Sequence, residues 1–473
     1  MIFGREKEVL TLKQTLKKDA SSFIAVYGRR RVGKTFLVNE AFDYQFTFKC
    51  AGSYKTKMKD QLRNFASSLK DAGLSSHPSV SDWHEAFDGL KEVIKRSNEE
   101  KKVVFLDELS WFASSGDEFL KALEFFWNSW ASGRKDVVLV VCSSVASWIV
   151  NKIIHSKGGL YHRLTDQISL QPFSLKECKT FANANNLPFT DNDILEAYMI
   201  FGGVPYYWTR LDRRYSLAQN VDRLFVGESA IFNDEYDYIF SSLFHRPEDY
   251  RRVIEALCEK KMGVTRLAIA EAASLKNNGK LTLVLRDLES CGFIRQDRKL
   301  GCQKRESLYQ IVDSFILFHH HFLTPYPQDE AFYSHLFASP KHRAWAGIAF
   351  ERVCLLHANQ IKKALGISGV YSEVSSLLLK KDDERGIAGS QMDLLIVRAD
   401  RVISLCEMKY SDAPYTLSAD FDADMRRKAG DLRAATNGKY GIHVVLVTPH
   451  GASDSAYQNG LNAVVTKEDL FAA

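Results

Sequence analysis

The stretch Gly28-Arg29-Arg30-Arg31-Val32-Gly33-Lys34-Thr35 reads G-x-x-x-x-G-K-T. The apolar run at 23–27 (FIAVY) precedes it, and an amphipathic helical pattern opens behind it with Thr35-Phe36-Leu37-Val38. Strand, glycine-rich loop and helix in that order form a phosphate cradle. Gly28 and Gly33 let the backbone wrap closely, while its N–H groups and the helix N-terminus supply positive potential. Lys34 is placed to reach the β- and γ-phosphates, and Thr35 to hold Mg²⁺. Residues 28–36, Phe36 included, are therefore the expected nucleotide-contact stretch. The side chains of Arg29, Arg30 and Arg31 exceed what the motif needs. They are expected to be solvated at the loop tip, with a partner or nucleic acid as the other reading.

Downstream, residues 103–108 read VVFLDE. Four apolar residues and then two acids describe a buried parallel strand with carboxylates at its C-terminal end, the end where open α/β sheets bind ligands. Asp107 is expected to hold Mg²⁺ through its water shell and Glu108 to polarise the attacking water. A third strand, VVLVVC at 137–142, leads into Ser143 and Ser144. Either hydroxyl could sense the γ-phosphate or cap the next helix. Arg163, before a short strand at 167–170, is a candidate cation for the transferring phosphoryl group, in cis or from a neighbouring subunit of a homo-oligomer.

The chain has 473 residues, too many for one core. Its 45% hydrophobic and 26% charged residues are ordinary for a globular protein. A net charge of +5 is compatible with nucleic acid without demanding it. The eight cysteines are scattered without a C-x-x-C pair, as in reduced cytoplasmic proteins. No apolar run approaches the length of a membrane span, and none reads as a leader peptide.

Residues 249–322 carry three amphipathic helical patterns, then two short strands around a basic segment with Arg295, Arg298, Lys299, Lys304 and Arg305. That is the layout of a winged helix-turn-helix, with Lys280, Thr282 and Arg286 on the helix that would enter a groove. The run His319-His320-His321 points its rings in different directions on a helix, so no zinc site is expected. Thr324-Pro325-Tyr326-Pro327 marks a boundary.

Two apolar runs, at 391–397 and 402–408, flank Ala399-Asp400-Arg401. A hairpin centred on Asp400 sets Asp393 opposite Glu407, at cross-strand separation. Lys409, two residues past Glu407, points to the same face. Two carboxylates and a lysine in one patch can bind Mg²⁺ and orient a water for phosphodiester attack.

These motifs together resemble the AAA+ class of P-loop ATPases. The opening Ile2-Phe3-Gly4-Arg5-Glu6 is similar to that class's entry segment, which brings Arg5 to the adenine side. Gly202-Gly203-Val204-Pro205 resembles the lid motif of the signalling (STAND-type) branch, in which the proline, here Pro205, approaches the nucleotide. The D…E-x-K pattern resembles the PD-(D/E)xK nucleases, whose supporting helical acid falls on Glu351. The order of parts resembles a prokaryotic, archaeal-type AAA+ family.

The resemblance implies an α/β fold in four parts: a P-loop ASCE ATPase parallel sheet (1–170), a helical lid (171–240), a winged helix-turn-helix (241–325) and a restriction-endonuclease-like α/β domain (335–473). It implies ATP as the nucleotide. Glu351, Asp393 and Glu407 become metal ligands, and Asp393, Glu407 and Lys409 catalytic groups. The leading expectation is an ATP-hydrolysing cytoplasmic protein acting on DNA, with ATP state controlling the nuclease-like domain. The alternatives are a nucleotide-dependent signalling switch with an inactive nuclease-like domain, and a transcription regulator using the winged helix alone.

Overall fold

The computed structural model describes residues 2–472 apart from 75–79, 114–115, 156–157, 228–229, 245, 261, 298–299, 301–306 and 338. The chain divides into two compact units, Met1–Pro172 and Phe173–Ala473.

The first unit runs α1 (Glu6–Thr15), β1 (Ser22–Tyr27), α2 (Lys34–Ala41), β2 (Phe48–Ala51), α3 (Met58–Asp71) and α4 (Trp83–Arg96). It continues through β3 (Lys102–Asp107), α5 (Leu109–Phe112), α6 (Glu118–Ser129), β4 (Val137–Ser143), α7 (Ala146–Ile149) and β5 (Asp166–Ser169). The strands form one sheet in the order β2-β3-β4-β1-β5, and every pair is parallel. Side chains alternate across it. Phe23 and Ala25 of β1 enter a core with Phe65, Leu90 and Phe126. Ile24 and Val26 enter the opposite core with Leu12, Leu37 and Val38. A strand buried on both faces has no polar side, hence the unbroken apolar runs in the sequence. The loop after β1 and the acids at the end of β3 consequently lie at the same, C-terminal end of the sheet.

The second unit begins with α8 (Leu175–Ala184), α9 (Asp191–Phe201), α10 (Pro205–Trp208), α11 (Leu217–Phe225) and α12 (Glu235–Leu243). Ser174, Thr190 and Ser216 start α8, α9 and α11 with reciprocal capping boxes. Next come α13 (Pro247–Cys258), β6 (Val264–Thr265), α14 (Arg266–Ala272), α15 (Gly279–Ser290), β7 (Ile294–Asp297) and β8 (Leu308–Ile311). The strands pair antiparallel in the order β6-β8-β7. Gly292, at φ 75°, ends α15 and turns the chain into β7.

Helices α16 (Ser314–Phe322), α17 (Phe332–Leu336), α18 (Pro340–Leu356) and α19 (Ala358–Ala364) lead to β9 (Ser372–Leu379), β10 (Ser390–Arg398) and β11 (Val402–Met408). Helix α20 (Ala419–Ala435), β12 (Gly441–Val447), β13 (Ala463–Val465) and α21 (Lys467–Phe471) complete the chain. This sheet is ordered β13-β12-β11-β10-β9. Its β9, β10 and β11 are antiparallel, whereas β11, β12 and β13 are parallel. Phe421, Met425 and Leu432 of α20 pack on Leu395, Ile403 and Leu405. The residue ranges of the three parts expected beyond the ATPase sheet fall, from Phe173 on, within this second unit.

Candidate functional site

The loop at 28–35 closes onto α2. Gly28 has φ 152°, and a Cβ there would lie 2.2 Å from the Leu170 carbonyl oxygen. Gly33 caps α2 in the left-handed region, at φ 89°. Lys34 is only 5% exposed. Its Nζ donates to the carbonyls of Gly28 and Arg29, each at 3.1 Å. Burial lowers its pKa, against the raising influence of Glu108 and Asp107. The loop's own carbonyls hold the ammonium where a phosphate would sit beside it.

Thr35 Oγ1 donates to Asp107 Oδ2 at 2.7 Å. Burial pushes the Asp107 carboxyl above its usual range, the Thr35 hydrogen bond pulling the other way. These are two hard oxygen donors with a carboxylate short of positive charge, the chemistry a Mg²⁺ ion takes. Glu108 follows in a left-handed conformation, φ 47°. Its Oε1 accepts from Ser144 Oγ at 2.5 Å and its Oε2 from the Ser144 N–H at 3.2 Å. Ser143 instead bonds Ser110 Oγ at 3.2 Å and accepts from the Val145 N–H at 3.1 Å. Ser144 is thus the residue at the strand end that touches the acid.

A second cluster lies on the C-terminal sheet. The β10–β11 register runs from Val397↔Ile403 to Leu394↔Cys406 and ends there, one step short of Asp393 and Glu407. The β9–β10 ladder shifts register between Met392 and Leu395, a bulge that spans Asp393; such bulges re-aim side chains. Glu407 Oε1 pairs with Lys409 Nζ at 2.9 Å and Oε2 with Lys428 Nζ at 2.8 Å. Lys428, on α20, is a residue the sequence reading missed. Asp393 accepts from Gln391 Nε2 at 2.6 Å. Glu351, on α18, has its pKa pushed up to about 7 by burial first and then by the charges of Asp393 and Glu407. Three carboxylates from α18, β10 and β11 therefore share one field. Among the described residues, however, no group of three or more acidic, histidine or cysteine side chains is drawn together tightly enough to hold a metal ion.

Residues 2–211 match a family model described as an ATPase domain predominantly from Archaea. They form an ATPase domain. A protein of Methanocaldococcus jannaschii, named only as uncharacterized, is 22% identical over 370 residues, 77% of this chain and 79% of that one. The Walker-type ATPase of Pyrococcus abyssi superposes with TM-score 0.49 at 17% identity, covering 68% of this chain and 96% of the other. The ORC2 protein of Aeropyrum pernix, in ADPNP–ADP complexes, gives TM-score 0.41 at 14% identity over 76% of this chain and 96% of its own.

The solvated loop tip expected at Arg29 to Arg31 is not what the structure holds, and the other expected residues of the ATPase domain take the places that follow. Arg29 is buried, at 5% exposure, with Nη1 donating to the Arg30 carbonyl at 3.3 Å. Arg30 and Arg31 are half-buried. The three are therefore not a solvated tip, and Arg30 adds its field to that around Lys34. Val32 is buried with α2, and Phe36 is 43% exposed. Arg5 is buried, its Nη2 donating to the Gln171 carbonyl at 2.6 Å. This stitches the entry segment to the chain beyond β5. Arg163 is exposed in the loop before β5. Pro205 starts α10 in the second unit.

The basic segment around the β7–β8 pair also differs. Arg295 turns inward, its Nε on Asp297 Oδ1 at 2.6 Å and its Nη1 on the Leu355 carbonyl at 3.1 Å. Arg298, Lys299, Lys304 and Arg305 lie outside the described residues. Lys280 pairs with Asp249, Thr282 accepts from Arg266 Nη1 at 2.8 Å, and Arg286 is exposed. In the histidine run, His319 stacks on Tyr236 with centroids 4.3 Å apart, whereas His321 Nδ1 faces the Leu317 carbonyl. No described helix is long and apolar enough to cross a membrane.

Proposed function

We propose that the protein uses ATP binding and hydrolysis to control a metal-dependent nuclease centre acting on DNA. In the ATPase domain, Thr35 and Asp107 hold Mg²⁺, Lys34 neutralises the β- and γ-phosphates, and Glu108 polarises water. The observation that supports the DNA-cleaving half is that Glu351, held up to about 7, feels the charges of Asp393 and Glu407, and that Lys409 pairs with Glu407. A carboxyl so destabilised as an anion is one that a bound cation would relieve. The ion supplies Lewis-acid stabilisation and a more acidic water when bound; the chain's own acids fix it, and Lys409 stays charged to face a phosphate.

Helices α13 to α15 with the β6-β8-β7 sheet are, on this reading, a winged helix. Support for a DNA partner comes from a cavity of about 600 Å³ lined by Arg266, Thr282, Arg286 and Gln296. Glu289 also lines it, so its two guanidinium groups outnumber its one carboxylate, and its neutral donors suit phosphate and sugar contacts. The test is cleavage of single-stranded, duplex and branched DNA with Mg²⁺ or Mn²⁺. Cutting by the wild type that is lost in Glu407→Ala supports the reading; equal cutting by both defeats it.

A second reading, a nucleotide-dependent switch without cleavage, is favoured by one observation. Glu407 is clasped by Lys409 and Lys428, two cations that do for the carboxylate what a metal would. ATP turnover without cutting of any DNA would select it.

A further inference from the structure

Arg352 follows Glu351 on α18 and is 1% exposed. A guanidinium that deep is costly unless its charge and donors are met. Its two Nη groups are met from two sides. On its own helix, Nη1 lies 3.5 Å from Glu351 Oε2. From β8, the Gln310 amide oxygen, in the orientation that satisfies both groups, accepts from Nη2 at 2.9 Å and also from Nη1. Gln310 is itself 4% exposed.

Beside it, Asp297 of β7, also 4% exposed, feels the charges of Arg295, Arg352 and Asp393. Arg295 closes the seam by donating to the Leu355 carbonyl near the end of α18. The β7–β8 pair and the helix carrying Glu351 therefore share one buried charge cluster. Sliding one past the other would strand a desolvated guanidinium and a desolvated carboxylate, because neither has water to turn to.

We infer that Arg352 is a positioning residue that locks the winged-helix module and the carboxylate centre into a single rigid body, so that a duplex held at α15 meets the centre at a fixed offset. This rests on the nuclease reading above and adds to it a property of the substrate: a duplex long enough to occupy both places at once. The planar five-donor fork is what joins the two sides, so lysine, a point charge, cannot replace it fully.

The test is a distance measurement between nitroxide labels by pulsed electron spin resonance. Labels replace two exposed residues, Leu283 on α15 (49% exposed) and Tyr371 before β9 (74% exposed). Every described cysteine is buried, and Cys302, outside the described residues, is changed to Ser in all samples. The full-length wild type is expected to give one narrow distance, identical with and without a duplex. Gln310→Leu should broaden it, and Arg352→Lys should broaden it less. Two results overturn the inference: a broad or DNA-shifted distance in the wild type, or variants that lose thermal stability while keeping the narrow distance, the signature of a merely structural role. DNA cutting is scored separately. A wild type that cuts nothing yet keeps the narrow distance, broadened in the variants, defeats the nuclease reading while the rigid coupling stands.

Discussion

Ser144→Ala isolates the group that orients Glu108. The Glu108 carboxylate has two donors from Ser144, the hydroxyl at 2.5 Å and the backbone N–H at 3.2 Å. The substitution removes only the shorter. Ser144 is 5% exposed, so water cannot readily replace the lost donor. A hydrogen bond to a charged group contributes about 1.5–3 kcal/mol, and about 1.4 kcal/mol is tenfold in rate. If the bond persists while Glu108 polarises the water, kcat for ATP hydrolysis should fall between about ten- and one-hundredfold. ATP affinity should be unchanged, because Lys34 and the loop backbone are untouched. Steady-state phosphate release gives kcat, and fluorescent-nucleotide titration gives Kd. An unchanged or faster kcat would refute the reasoning, since the serine would then be a latch holding Glu108 away from its task. A large loss of nucleotide affinity would refute it differently, by making Ser144 a binding residue.

Gly28→Ala should weaken ATP binding by well over tenfold, as a Cβ would lie 2.2 Å from the Leu170 carbonyl at a φ of 152°; calorimetric titration checks this, and near-native affinity would contradict the loop geometry. Burial lowers the pKa of His319 and of His357 to about 4. Below about 6.5 the unfolded chain binds protons that the folded chain refuses, so stability should be full above pH 6.5 and fall progressively between pH 6.5 and 4. His319→Phe should flatten that fall in thermal melts between pH 5 and 7.5, and an unchanged slope would count against it. Lys428→Met should strengthen Mn²⁺ binding about tenfold, measured by electron spin resonance, because Lys428 competes for Glu407 at 2.8 Å; weaker binding would make Lys428 a helper rather than a competitor.

The local pattern of the chain carried the strands, the phosphate loop and the hairpin register. FIAVY and VVFL needed only to be apolar on both faces, and the paired positions of β10 and β11, from 394 with 406 to 397 with 403, needed only to be equidistant from Asp400. What local pattern cannot carry is which side chain reaches across the fold. Thr35 meets Asp107 from 72 residues away. Lys428 reaches Glu407 because α20 crosses over the sheet between β11 and β12, and nothing in Arg426-Arg427-Lys428 distinguishes it from a solvated basic run. Arg295 looked like one charge of a basic wing, yet it is drawn in by Asp297 and a carbonyl at the end of α18. Ser143 and Ser144 were equivalent in sequence. They separate only because successive residues at the end of β4 point to different neighbours.

The most direct test of nucleotide control over the C-terminal centre is cleavage of an end-labelled DNA panel with Mn²⁺ under ATP, ADP and no nucleotide, using wild type, Lys34→Ala and Glu407→Ala. The account predicts cutting by the wild type that depends on ATP and is lost in both variants. Cutting that is indifferent to nucleotide and survives Lys34→Ala, or none at all beside measurable ATP turnover, would contradict it.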